Sequence, residues 1–306
     1  MTNAVSTAAR PATSEMVRRL PEYLMIWVPL LLSAAHLISF SIWTIWISFT
    51  PSTLVPVTGW VGLRNYSSVL ASRNWQIAFD NLLLFGIAFV LLSLITGLAL
   101  AILLDQRIRG ENVLRTIFLY PLAVSFVVTG TVWSWLLNPG IGIEKLAHDL
   151  GWSAFHFDWL VNRDMAIWTI VIAAIWQSSG FAMALFLAGL RSVDADIIRA
   201  AQIDGAGPIR TYLRVILPTL WPITITVVVV QLQFAISAFD LVRALTNGGP
   251  GIATQLPALV VYDLMFQRSQ LGRGAAAAVL MLLILLAVLL PYAAWRYVQR
   301  RQATHA

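Results

Sequence analysis

The chain has 306 residues, of which 59% are hydrophobic and only 11% are charged, and its mean hydropathy is +0.78. A soluble domain carries about 25% charged residues, so most of this chain must have membrane lipid as its solvent. The absence of cysteine excludes disulfides, thiolate metal sites and cysteine nucleophiles. The net charge of +6 does not indicate nucleic-acid binding, because the basic residues are spread singly between apolar runs instead of being gathered on one face.

Six apolar runs are each long enough to cross the hydrocarbon core, which takes about 20 helical residues. They lie at about 24–49, 81–104, 116–137, 165–190, 220–242 and 274–296. The sequence therefore predicts an all-α integral membrane protein, with a six-span domain over 23–296 between an N-terminal segment over 1–22 and a tail over 297–306. The first run is longer than the apolar core of about 7–15 residues that is usual in signal peptides, so we expect an uncleaved anchor.

The basic residues predict which side of the membrane each loop faces. The N-terminus, the 105–115 turn, the 191–218 loop and the C-terminus together contain 13 of the Lys and Arg residues, whereas the other loops contain 7. Cytoplasmic loops carry the excess of positive charge. The sequence therefore predicts that both termini and the 191–218 loop are cytoplasmic.

The 191–218 loop contains a predicted helix, over about 194–207, that is too short and too polar to cross a membrane. Asp194 can cap its N-terminus, and Gly207 followed by Pro208 is expected to end it. Small residues between these ends would allow the surface of another protein to come close.

This loop resembles the EAA signature of binding-protein-dependent ABC transporter permeases, which is Glu-Ala-Ala, three residues, Gly, nine residues, Ile, one residue, Leu-Pro. Ala200, Ala201, Gly205, Leu217 and Pro218 match it at these spacings, whereas Arg199 and Val215 replace the glutamate and the isoleucine. The resemblance implies a coupling helix between spans four and five that docks on a separate ATPase subunit. Its contact residues would be Arg199, Ala200, Ala201, Asp204, Gly205 and Ala206. Because Arg199 reverses the charge, no ion pair of the motif glutamate is carried over.

A second resemblance narrows the class of transporter. The segment from Ser237 to Thr254, with Gly248-Gly249-Pro250-Gly251, is similar to the fifth span and outer loop of carbohydrate permeases of the maltose and glycerol-phosphate type. The similarity extends over nearly everything from the second span onward. It implies a type I ABC importer permease fold in the bacterial inner membrane and a sugar or sugar derivative as substrate. It also implies a second homologous permease, a dimer of ABC ATPase subunits that bind ATP and Mg, and a periplasmic solute-binding protein.

No catalytic site, metal site or cofactor is predicted in the chain itself. A Walker A loop needs Gly-Lys-Ser/Thr, but the only lysine, Lys145, follows a glutamate in an outer loop. No Ser-His-Asp or paired-carboxylate set can be placed in one site. The four histidines are too far apart in the sequence to resemble a His-x-x-x-His metal pair; they are His36, His148, His156 and His305.

Polar side chains within the spans predict the substrate pathway, because burying them in lipid is costly. Gln233, Ser237 and Asp240 recur at i, i+4 and i+7, on one predicted face of the fifth span. In the fourth span Gln177 and Phe181 are one turn apart. With Ser178 and Trp133, these residues form the predicted pathway, in which amides and hydroxyls bind sugar hydroxyls and aromatic rings cover the apolar side. Alternatively, any one of the polar groups could bond a neighbouring helix, and Asp240 could pair with Arg243.

Two other transport functions fit parts of the sequence. An ABC permease for another small polar solute, such as an amino acid or a metal, would share the 191–218 motif but not the outer loop around Gly248. A stand-alone secondary transporter would need inverted halves and coupling-ion carboxylates near the midplane. Asp80, Asp105 and Asp240 all lie near predicted span ends instead.

Overall fold

The computed structural model describes residues 12–106 and 109–305, and over these ranges the chain forms helices and loops without a strand. The α-helices are α1 (Ala12–Ser48), α2 (Arg64–Leu70), α3 (Arg73–Asp105), α4 (Glu111–Leu119), α5 (Phe126–Leu136), α6 (Ile143–Asp149), α7 (Ala166–Arg191), α8 (Ala195–Ile203), α9 (Pro208–Thr211), α10 (Leu217–Thr219), α11 (Trp221–Ile236), α12 (Phe239–Leu245), α13 (Pro257–Tyr262) and α14 (Leu271–His305). The first half of the predicted 1–22 segment, and Arg107 of the charge count, lie outside the described residues.

Four helices are each long and apolar enough to cross a membrane as a single rod: α1, α3, α7 and α14. They lie where the sequence predicts the first, second, fourth and sixth spans. Within α1, none of the most apolar window between Met25 and Ser48 is buried. The helix packs mainly on α14, so most of its surface is left to lipid or to another subunit.

The predicted third and fifth spans, over about 116–137 and 220–242, are each bent. In the third, α4 and the 3-10 turn Tyr120–Ala123 meet α5 at 99°. In the fifth, the segment Ile209–Thr219 meets α11 at 67°, and α11 ends at Ile236. Counting each bent pair as one span gives up to six spans. Prolines lie beside both breaks: Pro121 in the third span, and Pro218 and Pro222 in the fifth. A proline has no N–H to continue the helical hydrogen bonds, which favours a bend there.

Small residues bring the helices close together around the bends. A Cβ added at Gly97 of α3 would lie 2.5 Å from the Cβ of Ala182 on α7, and one added at Gly130 of α5 would lie 2.7 Å from that of Ala244 on α12. Without a strong hydrophobic drive between helices in lipid, such close approach is what allows van der Waals packing to hold them. These contacts hold α3 against α7, and α5 of the bent third span against α12.

Gly180 of α7 provides a test of this packing. A Cβ at this position would overlap the backbone carbonyl of Phe118 in α4. We expect Gly180→Ala to lower the apparent melting temperature of the detergent-purified chain, because overpacking against backbone costs about 1–3 kcal/mol. Gly207→Ala is the matched control, since a Cβ there meets no atom within 4 Å. Equal melting curves for the two variants would contradict the prediction.

Candidate functional site

The predicted coupling helix is present as α8, and its first cap is the expected one. The Asp194 carboxylate accepts a hydrogen bond from the N–H of Asp196 at 2.9 Å. This bond satisfies one of the backbone donors that the first turn of a helix leaves without a partner.

The end of α8 differs from the prediction. Gly205 adopts a φ of +78°, its N–H donates to the Gln202 carbonyl, and the N–H of Ala206 donates to the Ala201 carbonyl, both at 3.0 Å. This pair of bonds is a Schellman motif. The helix therefore stops at Ile203, and the expectation that it runs to about 207 and is ended by Gly207 and Pro208 is wrong. Gly205, already a motif position, supplies the left-handed residue.

The residues predicted to contact an ATPase lie on the outside of α8 and of its C-terminal cap. Arg199, Ala200, Asp204 and Gly205 are exposed, and Ala201 and Ala206 are half-buried. Arg199 pairs with Asp196 one turn earlier, Nη1 to Oδ1 at 2.7 Å. Arg199, which replaces the glutamate of the motif, therefore forms an ion pair within α8 itself.

Exposed apolar side chains, which the sequence analysis missed, continue this surface. Ile197 and Ile203 of α8 are 47% and 86% exposed, and Ala200 between them shares their face of the helix. Ile209 and Leu213, in the segment that follows, are 76% and 60% exposed. Their position between charged residues could have revealed them, because isoleucine on the water-facing side of a short polar helix indicates a covered surface. The surface formed by these five residues is called the docking face below.

The docking face is attached to the spans by short, bonded connections. Arg191, at the last turn of α7, pairs with Glu111 of α4 at 2.5 Å, and its Nε lies 3.9 Å from an Asp105 carboxylate oxygen of α3. After α8 the chain enters α9 and the π-helical turn Tyr212–Ile216, both of which contact α8. These connections join α8 directly to the fourth and fifth spans, so a displacement of α8 would act on both.

The two predicted aromatic pathway residues, Phe181 and Trp133, each contact an aromatic side chain of another helix. Phe234 of α11 has its ring centroid 6.3 Å from Phe181 of α7 and 6.2 Å from Phe126 of α5, both edge to face. Trp133 of α5 lies 6.0 Å from Trp176 of α7 in the same geometry. Phe234 follows Gln233 in α11 and so lies on a different side of that helix, where it contacts Phe181.

Gln233, Ser237 and Asp240 are all exposed, but they do not form one helical face. α11 ends before Ser237, whose hydroxyl donates to the Gln233 carbonyl at 2.7 Å. Asp240 lies across the turn in the first turn of α12, so the i, i+7 relation fails for it. Arg243 donates to Asn247 and stands 4.9 Å over the ring of Tyr262. Among the described ion pairs it is not joined to Asp240, contrary to the alternative role considered for that acid.

Gln177 and Ser178 are buried within the chain, at 2% and 3% exposure. The Gln177 amide nitrogen donates to the Val124 carbonyl at 2.6 Å, at the bend of the third span. The Ser178 hydroxyl donates to the Ala174 carbonyl at 2.8 Å. The same hydroxyl oxygen accepts a hydrogen bond from the amide nitrogen of Gln231 in α11, at 3.4 Å. Ser178 thus joins packed helices, and the expectation that it lines the pathway is corrected.

Two of the histidines are neighbours in space. The ring centroids of His148 and His156 are 5.8 Å apart, and Glu144 lies beside both in the outer loop between α5 and α7. Separation along the sequence therefore did not mean separation in the structure. His36 instead packs on Phe40 within α1, with 4.5 Å between centroids.

Comparison with known families identifies the family of the chain. Residues 90–304 match the family described as the binding-protein-dependent transport system inner membrane component. The chain belongs to this family. Its matched region begins within α3 and includes every pathway residue, α8 and the docking face. The protein is therefore an integral-membrane ABC importer permease, as the motif in the 191–218 loop predicts.

Individual permeases resemble the chain over most of its length. A probable ABC transporter permease of Pyrococcus horikoshii is 38% identical over 281 residues, covering 91% of this chain and 96% of that one. A xylose/arabinose import permease of Haloferax volcanii is 37% identical over 239 residues, covering 78% and 75%. A bacterial ABC transporter involved in import of the acidic polysaccharide alginate has a chain with a TM-score of 0.79 at 19% identity, over 95% of this chain and 99% of that one. The last match confirms the predicted type I importer permease fold.

Proposed function

We propose that this permease moves a sugar or sugar derivative from a periplasmic binding protein into the cytoplasm, driven by a separate dimer of ATPase subunits. The observation that carries the proposal is the docking face. Five apolar or small side chains are exposed on one short helix and the segment that follows it, and α8 connects the fourth span to the fifth. In a monomeric chain these side chains have no reason to face water, whereas a motor subunit would cover them.

The sugar class is supported by the pathway side chains and by a relative. Phe126, Phe181 and Phe234 form an aromatic group that belongs to α5, α7 and α11, and Gln233 and Ser237 are exposed at the end of α11. Rings that cover the apolar side of a sugar, together with amides and hydroxyls that bond its hydroxyl groups, suit a neutral polyol. The xylose/arabinose permease of Haloferax volcanii is a sugar importer by name.

The proposed function also requires ATPase subunits and a second permease. The only lysine stands outside any Walker A sequence, so ATP and Mg belong to the ATPase subunits, and this chain is a transport subunit without enzymatic activity. A second, homologous permease would complete the pathway opposite Gln233, Ser237 and Asp240, which this chain leaves exposed. The excess of basic residues in these segments supports a cytoplasmic position for both termini and α8, in the bacterial inner membrane.

Reconstitution of the whole assembly in proteoliposomes tests the proposal. With the second permease, the ATPase subunits inside and the binding protein outside, we expect ATP-dependent uptake of at least one of radiolabelled xylose, maltose and glycerol 3-phosphate. Methionine serves as the non-sugar control. Uptake of methionine alone would identify a permease for another small solute. Gradient-driven uptake by this chain without its partners would establish a secondary transporter and refute the proposal.

A further inference from the structure

Three side chains that can bind a metal ion meet in the outer loop between α5 and α7. Glu144 and His148 are one turn apart on α6, on the same helical face. The loop after α6 returns to place His156 Nδ1 3.2 Å from Glu144 Oε1. One ligand atom from each of the three residues lies within 4.8 Å of the other two. None of these residues belongs to the pathway or to the docking face.

The donor set selects the class of metal. Two imidazole nitrogens and a carboxylate oxygen are ligands of zinc and of related first-row transition metals, whereas Mg²⁺ and Ca²⁺ prefer oxygen alone. Zinc–ligand distances of about 2.0–2.2 Å in a tetrahedron separate the donors by about 3.3–3.5 Å. The distance of 3.2 Å between Glu144 and His156 is close to that value. The His148 and His156 side chains are exposed and can rotate. A movement of their ligand atoms by about 1.5 Å or less would bring all three donors to the separations that zinc requires.

Two further observations favour a cation over a simple hydrogen-bonded cluster. The second carboxylate oxygen of Glu144, Oε2, is buried and has no hydrogen-bond partner among the described residues. An unpaired buried carboxylate oxygen is costly, and a cation that Glu144 coordinates through both of its oxygens would remove that cost. In addition, His148 Nε2 lies 2.8 Å from the Phe155 carbonyl. A ring N–H donated to a carbonyl leaves the Nδ1 lone pair for a metal, which is the support that metal-binding histidines usually have.

We propose that Glu144, His148 and His156 bind one divalent transition-metal ion, with zinc as the best fit. Three protein ligands leave a fourth position for water or another donor. The ion would join α6 to the loop that follows it and so brace the segment between the third and fourth spans. This site is independent of the proposed transport function.

Zinc binding to the purified full chain tests the site. The protein is prepared in detergent without a histidine tag, freed of metal, and titrated with ZnCl₂ against a chromogenic chelator. We expect one zinc ion per chain, retained in the presence of excess MgCl₂. The variants His148→Ala, His156→Ala and Glu144→Gln should each weaken the affinity by at least about 10-fold.

The matched control is His36→Ala, which removes a histidine from α1 and should bind zinc like the native chain. Gel filtration and helical circular dichroism of each variant show that it is folded, so a loss of binding reports on the site. With Co²⁺ in place of Zn²⁺, a tetrahedral absorption band should appear in the native chain and be absent in His156→Ala. Equal zinc affinity in all four variants, or no stoichiometric zinc in the native chain, would overturn the proposal.

Discussion

Uptake by the complete assembly should fall at least about 10-fold when Ile203 is replaced by glutamate, while the permease itself stays folded. Ile203 is 86% exposed in this chain, so a charged side chain there remains in water until the ATPase docks. In the assembly the charge would be trapped in an apolar contact without a partner, which costs several kcal/mol. Since about 1.4 kcal/mol corresponds to a tenfold change in binding, the loss of ATPase contact should be nearly complete.

Gln202→Glu is the matched control, because it places the same charge at the adjacent, exposed position of α8. Two measurements are made on each variant: copurification of the ATPase subunits and ATP-driven uptake in proteoliposomes. Ile203→Glu should lose both, with an unchanged melting temperature of the isolated permease, and Gln202→Glu should retain both. Normal ATPase copurification with Ile203→Glu would show that the docking face lies elsewhere.

The positions of the six spans could be predicted from the sequence, whereas the bends in the third and fifth spans could not. Long charge-free runs define α1, α3, α7 and α14, because length and apolarity alone decide whether a helix can cross a membrane. Bends depend on how backbone groups that are left out of the helical ladder find new partners, and those partners can come from other helices. The carbonyl of Val124, for example, is bonded by Gln177, 53 positions away in the sequence.

The candidate site shows the same difference between local and long-range features: α8 depends on local sequence, whereas the pathway residues depend on contacts between helices. The position of α8 was predictable because its motif is local: the cap at Asp194 and the small residues up to Gly205 lie within one short segment. The pathway residues were predicted by helical periodicity, which holds only while the helix continues. The turn after Ile236 therefore separated Asp240 from Gln233. Ser178 is bonded to Ser93 of α3 and to Gln231 of α11, and helical periodicity cannot predict contacts with other helices.

Gln177 and Gln233, which the sequence analysis treats as equivalent pathway residues, should respond differently to substitution. The N–H of Val128 donates to the Ser125 hydroxyl at 3.3 Å, so the Val124 carbonyl is left to accept from Gln177. Gln177→Leu removes that donor at a buried position and should destabilise the chain by about 1–3 kcal/mol. Gln233 is exposed, so Gln233→Leu should leave the melting temperature unchanged.

Transport measurements should also distinguish the two glutamines, because only Gln233 is exposed to a solute, whereas Gln177 is buried. Gln233→Leu should reduce uptake at normal stability, since it removes an exposed amide beside the aromatic group of Phe126, Phe181 and Phe234. Gln177→Leu should reduce uptake together with thermal stability, because the bend that positions Phe126 loses its bond. Melting curves and uptake are compared at equal expression. Equal thermal stability of the two variants would refute the structural role of Gln177, and normal uptake by the double alanine variant would exclude both residues from the transport pathway.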